Sequence, residues 1–190
     1  MWTFDGLLAT PTLNGVFESG QRPEPSSLCG WAFRGAHCLS AIPGLALASV
    51  RRLRFLQLFE AYEAGPQSAP RVGGYHLMLR KQGRYAPWVG YPRDDAPHKF
   101  GFFELRVDER YPQALLLDFE PTRKHSPALA FLSRAQAFAG LSPRLLREYL
   151  VHPDPSHPDL FLGRLDLGLG PLVHHHYFVL ERFRKLRADR

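Results

Sequence analysis

The stretch from Gly73 to Phe119 constrains the fold more than any other part of the chain. It reads as four consecutive antiparallel strands, Gly74–Lys81, Arg84–Tyr91, Lys99–Val107 and Ala114–Glu120. They are joined by the turn-rich links Gln82-Gly83, Pro92–His98 and Asp108–Gln113. Apolar residues recur at every second position: Tyr75, Leu77 and Leu79 oppose His76, Met78 and Arg80 in the first strand. Gly101, Phe103, Leu105 and Val107 oppose Phe100, Phe102, Glu104 and Arg106 in the third, and Leu115, Leu117 and Phe119 oppose Leu116, Asp118 and Glu120 in the fourth. Successive side chains of a strand point to opposite faces, so each strand has one apolar face and one mixed face. A sheet with a mixed second face curls around a partly polar cavity or is covered by helices. Its two edges must be paired, covered or closed.

Closure is expected from strands outside the meander. Leu28–Ala36 reads as a short strand with Trp31 and Phe33 on one side. Leu45–Tyr62 is ambiguous by periodicity, and a strand over Val50–Glu60 suits its Phe and Leu alternation. Leu160–Leu167 and Leu172–Phe183 form a closing hairpin around Gly168–Pro171. Two short helices are expected before that hairpin. Ser126-Pro127 caps one that Gly140 stops, and Ser142-Pro143 caps Arg144–Val151. The expected fold is therefore mainly β (α+β): an antiparallel meander closing into a barrel, with two helices inserted late. At 190 residues this is one domain, with an irregular N-terminal segment over 1–27 and a basic tail over 184–190.

Composition excludes little. The net charge is +6, but the basic residues are scattered except at Arg51–Arg54 and the tail, unlike a nucleic-acid footprint. Nucleic acid is not an expected partner. The tail could dock an acidic protein or an anionic surface. No apolar run is long enough to span a bilayer and no export signal opens the chain, so a cytoplasmic protein is expected. The two cysteines, Cys29 and Cys38, show no metal-type spacing and read as small buried thiols.

Chemistry-bearing patterns are sparse. His174 and His176 fall on one strand face and would be a metal pair if a carboxylate or imidazole such as Asp118, Asp166, His76 or His98 converged on them. Glu104, Arg106, Asp118, Arg164, Asp166, Glu181 and Arg182 alternate in sign on strands, a pattern of cross-strand ion pairs. No Ser sits in a nucleophile elbow, and His37 and Cys38, being adjacent, point to opposite faces of a strand. Aromatic residues make up 13% of the chain. Small-molecule pockets have that character, an aromatic lining with a few fixed polar groups. The ligand-binding candidates are accordingly Trp31, Phe33, Tyr75, Trp88, Phe102, Glu104, Arg106, Asp118, His176 and Phe178, with Glu104, Arg106 and His176 orienting the ligand's polar end.

Two separated pieces resemble the uncharacterised bacterial proteins named for a Gly-x-Trp-x-Gly motif. One is Leu28–Gly35, the other Leu160–Arg164 followed by Tyr177–Arg182; Asp118 and Arg147–Leu150 are similar as well. The chain departs from the motif in that Gly30 and Trp31 are adjacent and Gly35 lies beyond them. The resemblance implies a lipocalin-like or nitrobindin-like barrel with no catalytic residues to carry over. The expected function is non-enzymatic binding of an apolar or amphipathic molecule, such as a lipid, isoprenoid or tetrapyrrole. The alternatives are an enzyme or metalloprotein using His174 and His176 with a carboxylate, and a structural or interaction subunit. No cofactor is specified by the sequence.

Overall fold

The computed structural model describes residues 2–38, 54–62, 71–79, 87–89, 92–93, 96–97, 99–119, 146–169 and 172–186. Among these residues ten strands are formed: β1 (Trp31–Cys38), β2 (Arg54–Tyr62), β3 (Arg71–Met78), β4 (Pro92–Arg93), β5 (Ala96–Pro97), β6 (Lys99–Val107), β7 (Leu115–Asp118), β8 (Leu146–Val151), β9 (Leu160–Leu169) and β10 (Leu172–Lys185). Eight of them close a barrel in the order β1-β10-β9-β8-β7-β6-β3-β2, every neighbour antiparallel. Strands β4 and β5 pair only with each other. Closure removes the free edges that the meander would expose.

The predicted wall is therefore present, with two corrections. Strand β3 pairs directly with β6, and Pro87, Trp88 and Val89, inside the expected strand Arg84–Tyr91, lie in no strand. A proline offers the ladder no N–H, and Trp88 instead packs on the outside of the barrel under the Arg54 guanidinium, 3.8 Å from its ring. The expected helix Arg144–Val151 is strand β8 over Leu146–Val151. Its spacing of Leu145, Leu146, Tyr149 and Leu150 suits a helix, but between β7 and β9 it completes two ladders, and Tyr149 and Leu150 then bury on opposite faces. The helix expected over Ser126–Gly140 lies outside the described residues.

Segment 1–27 is not irregular. It carries α1 (Phe4–Ala9), α2 (Asn14–Glu18) and the start of α3 (Pro25–Leu28). Thr3 caps α1 by accepting from the Gly6 N–H at 3.1 Å. Leu13 and Phe17, one turn apart, pack with Leu7 on Leu116, Tyr149, Val151, Leu162 and Val179. Burial of that face absorbs Asn14-Gly15, which otherwise reads as a turn, into α2. The basic tail also begins later than expected, because β10 continues to Lys185 opposite Trp31. Among the described residues no helix is long and apolar enough to cross a membrane.

The inward face is fixed by contacts between strands that are not wall neighbours. Phe33 on β1 meets Phe161 on β9 at 5.3 Å, and Phe59 on β2 meets Phe103 on β6 at 5.4 Å. The interior is an edge-on aromatic lattice of Phe33, Phe55, Phe59, Phe103, Phe161 and Phe178, filled out by Leu115, Leu117, Leu150 and Leu180. Such ring pairs add about 0.5–1.5 kcal/mol each beyond area burial. Glycines on the same face make room for the rings: a Cβ on Gly163 would stand 2.0 Å from Phe178 Cζ, and one on Gly74 would stand 2.7 Å from Phe103 Cζ.

Candidate functional site

The interior has two unlike halves. At one end the floor is dry. Leu28, from α3, joins Phe33, Phe59 and Phe161 there, and Arg182 crosses the Trp31 ring at 4.7 Å while its guanidinium is bound by Asp159 and the Ser27 carbonyl. At the other end, among the described residues, five polar side chains enter the lumen: His37, Gln57, His76, Glu148 and His176. They stand near the end of β1, the start of β2, the end of β3, the start of β8 and the first half of β10. In an antiparallel barrel these positions are one rim. From this rim the chain leaves β1, β3 and β7 and returns to β2, β6 and β8 through residues 39–53, 79–98 and 119–145.

Strand register ties the five together. Gln57 is directly opposite His76, and Gln57 is also opposite Phe33 of the inner lattice. Glu148 and His176 are both opposite Leu165. His37 is opposite Phe178. Across the lumen, His76 Nε2 lies 3.9 Å from Glu148 Oε2, although β6 and β7 separate their strands on the wall. His76 is walled by Phe55, Phe103 and the stacked ring of Phe119, at 5.3, 5.6 and 6.2 Å. His37 lies between Phe55 and Phe178 at 5.2 and 5.8 Å.

The protonation of this group follows from burial. Gly101, with φ +56°, sits where the β3–β6 register shifts, and its carbonyl oxygen lies 3.2 Å from His76 Nδ1. A carbonyl only accepts, so Nδ1 carries the proton and Nε2 is the acceptor facing Glu148. Burial lowers the His76 pKa to about 4, against the Gly101 bond that raises it and with His37 adding to the fall. Burial and His176 lower His37 to about 4 as well. Burial pushes the Glu148 carboxyl up to about 8. Burial thus favours the protonated acid for Glu148 and the neutral ring for both of these imidazoles. Neither polar atom of Gln57, and not Glu148 Oε2, has a hydrogen-bond partner among the described residues.

The sequence candidates separate cleanly. Trp31, Phe33, His176 and Phe178 share the inner face. Tyr75, Phe102, Glu104, Arg106 and Asp118 are on the outer face, so Glu104 and Arg106, expected to orient a ligand's polar end, are inverted to the outside, while Phe103, Leu105 and Leu117 take the interior. Glu104 accepts there from Arg71 and Arg106, and Arg106 also reaches Asp118 at 3.3 Å. Such exposed pairs contribute little stability. The physical reason for the inversion is volume: Phe103 and Leu117 fill the lattice, whereas the charged alternates would need solvent.

His174 lies on β10 opposite Leu167, and His175, outside, is 2.8 Å from Asp166. Among the described residues no group of three or more His, Cys, Asp or Glu is placed to hold a metal ion. Cys29 and Cys38 are free thiols, the second pushed up to about 12 by burial. Sequence reading missed Gln57, Glu148 and His37 as site residues. Their signal was a polar residue in an otherwise apolar alternation, as in Phe55-x-Gln57-x-Phe59, and for Glu148 it was hidden by the helix reading.

Fold and site together define an eight-stranded antiparallel barrel whose lumen is dry at one end and polar at the other. Comparison with protein-family models, with curated proteins and with solved structures finds no match, so no family is shown for the chain.

Proposed function

We propose that the barrel binds a small amphipathic molecule in its lumen, apolar part against Phe55, Phe103, Phe119 and Phe178, polar end among Gln57, His76 and Glu148. One observation carries this reading: Gln57 is fully buried and neither of its amide atoms has a hydrogen-bond partner among the described residues. A buried polar group left unmatched costs about 1–3 kcal/mol, and a guest with a polar head removes that cost. An eight-stranded barrel is of the size that either fills with side chains or holds one small ligand. The free thiols support a reducing compartment such as the cytoplasm. The test is solvent extraction and native mass spectrometry of the purified protein, with a melting-temperature screen of fatty alcohols, isoprenols and tetrapyrroles. A stoichiometric guest, lost in Gln57→Leu, is expected. No co-purifying molecule and no shift with any compound would sink the reading.

A second reading, acid–base catalysis, is favoured by the 3.9 Å approach of His76 to Glu148. It replaces His174 and His176 as the candidate pair. Protein-dependent uptake of solvent deuterium next to the carbonyl of a bound ketone, abolished in His76→Asn, is its expected signature.

A further inference from the structure

Strand β10 ends in a fixed tip rather than a frayed tail. Its pairing with β1 slips by one residue: Arg182 stands opposite Phe33 and Arg184 opposite Ala32, so Phe183 has no partner and forms a bulge. Before the bulge, Arg182 is held by Asp159 at 3.1 Å, by the Ser27 carbonyl at 3.0 Å and over the Trp31 ring. After it, the Leu186 N–H donates to the Gly30 carbonyl at 2.8 Å, and the Leu186 side chain packs on the outer wall with Ala32, Leu56 and Leu58. Phe183, Arg184 and Lys185 are thus clamped between two anchors, and all three are exposed. Bulges at barrel rims re-aim side chains. This one turns a bulky aromatic ring outward, 40% exposed.

The tip combines that ring with fixed positive charge. The Arg184 guanidinium lies 5.8 Å from the Phe183 ring, and Lys185 follows opposite Trp31. Glu181, two residues before the bulge, is engaged by Arg34, and Asp159 by Arg182. The sequence beyond the strand adds Arg187 and Arg190 against one acid, Asp189. Charge of this sign attracts anions, and size decides among them. A specific protein partner covers about 800 Å² on each side, far more than three side chains offer. DNA gains affinity through many phosphate contacts spread along the duplex, whereas the basic residues here are confined to one strand end. A lipid surface is fluid and demands no matching shape. An aromatic ring flanked by Lys and Arg settles at its boundary of anionic headgroups and acyl chains.

We propose that the Phe183–Lys185 tip docks the barrel on an anionic lipid surface, with Arg184 and Lys185 at the headgroups and the Phe183 ring beneath them. The docked end is the dry one, where Leu28, Phe33, Phe59 and Phe161 close the floor, so the polar rim of the lumen points away from the surface. The docking stands apart from the lumenal-ligand reading and does not need it.

The experiment is co-sedimentation of the full chain with vesicles of phosphatidylcholine alone and of phosphatidylcholine and phosphatidylglycerol in equal parts, at low and high salt. The anionic vesicles are expected to bind at least about tenfold more tightly, since each basic residue near such a surface adds about fivefold, and high salt should remove the difference. Replacing both charges, Arg184→Ser with Lys185→Ser, should lose about twentyfold. Phe183→Ser should lose about fivefold on the anionic vesicles. All three positions are exposed, and each variant tests the tip without the other. Equal binding to both vesicles, binding to neither, or an unchanged affinity in either variant overturns the proposal. A polyglutamate peptide or a short DNA duplex that binds more tightly than the anionic vesicles also overturns it, because the partner is then of another class.

Discussion

Replacing Glu148 by Gln changes the pH dependence of stability in a way the structure sets in advance. The carboxyl ionises near 4.5 in the unfolded chain and near 8 in the folded one, because burial disfavours its charge. Between those values the folded state holds a proton that the unfolded state has lost. The stabilisation is fully present below pH 4.5, falls as pH rises, and is gone above about 8. Each pH unit in that window changes stability by about 1.4 kcal/mol. Wild-type protein therefore loses ~3 kcal/mol from this group between pH 5 and 7.5. Glu148→Gln keeps the size and a donor but does not titrate. Its stability relative to wild type should rise by ~3 kcal/mol over the same interval. Contributions from His37 and His76 are common to both proteins and largely cancel. Urea unfolding followed by tryptophan fluorescence at pH 5, 6, 7 and 8 gives the difference directly. A difference that stays flat, or that shrinks as pH rises, refutes the argument that Glu148 is buried as a neutral acid.

Three further outcomes are expected. His37 and His76 are held neutral with pKa values near 4, so the stability they protect is present above pH 6.5 and is lost as pH falls toward 4; the acid limb of the unfolding profile should flatten in His76→Asn, and an unaltered limb contradicts this. Gly163→Ala puts a Cβ 2.0 Å from Phe178 Cζ and should cost about 2–3 kcal/mol in urea unfolding, with much of the loss recovered when Phe178→Ala is added; strict additivity would count against the contact. On the outer wall Arg164 lies 3.0 Å from Asp166 and between the rings of Phe17 and Tyr111, at 4.2 and 4.1 Å. Arg164→Ala should cost about 3–5 kcal/mol, as breaking a buried pair does. It should also speed proteolytic cleavage between α1 and α2, and a wild-type cleavage pattern would show that Arg164 does not anchor that segment.

Much of the barrel is visible in the residue pattern. A period-2 alternation places Lys99–Val107 on a strand because only that spacing sends Phe103 and Leu105 to one side and Glu104 and Arg106 to the other. The closing hairpin and the strand carrying Trp31 and Phe33 are legible for the same reason. The site is less so. Of the five polar residues in the lumen only His176 was among the candidates for ligand binding. His76 enters the sequence reading as one possible third ligand to the His174/His176 pair. Glu148 falls on an expected helix, because the eight-residue segment Arg144–Val151, with its leucines and tyrosine, has no period long enough to choose between helix and strand.

The sequence alone determined that this chain forms antiparallel strands with one apolar face each, since alternation is a local property of neighbouring residues. The tertiary structure decided which face looks inward, because that depends on whether side chains from eight strands fill one volume together. Phe103, opposite Gly74, and Leu117 fill it, and Glu104, Arg106 and Asp118 are left outside. It decided also that Glu148 and His76, far apart in the chain and on non-adjacent strands, stand 3.9 Å apart across the lumen. No local pattern encodes that distance; the closure of the barrel does.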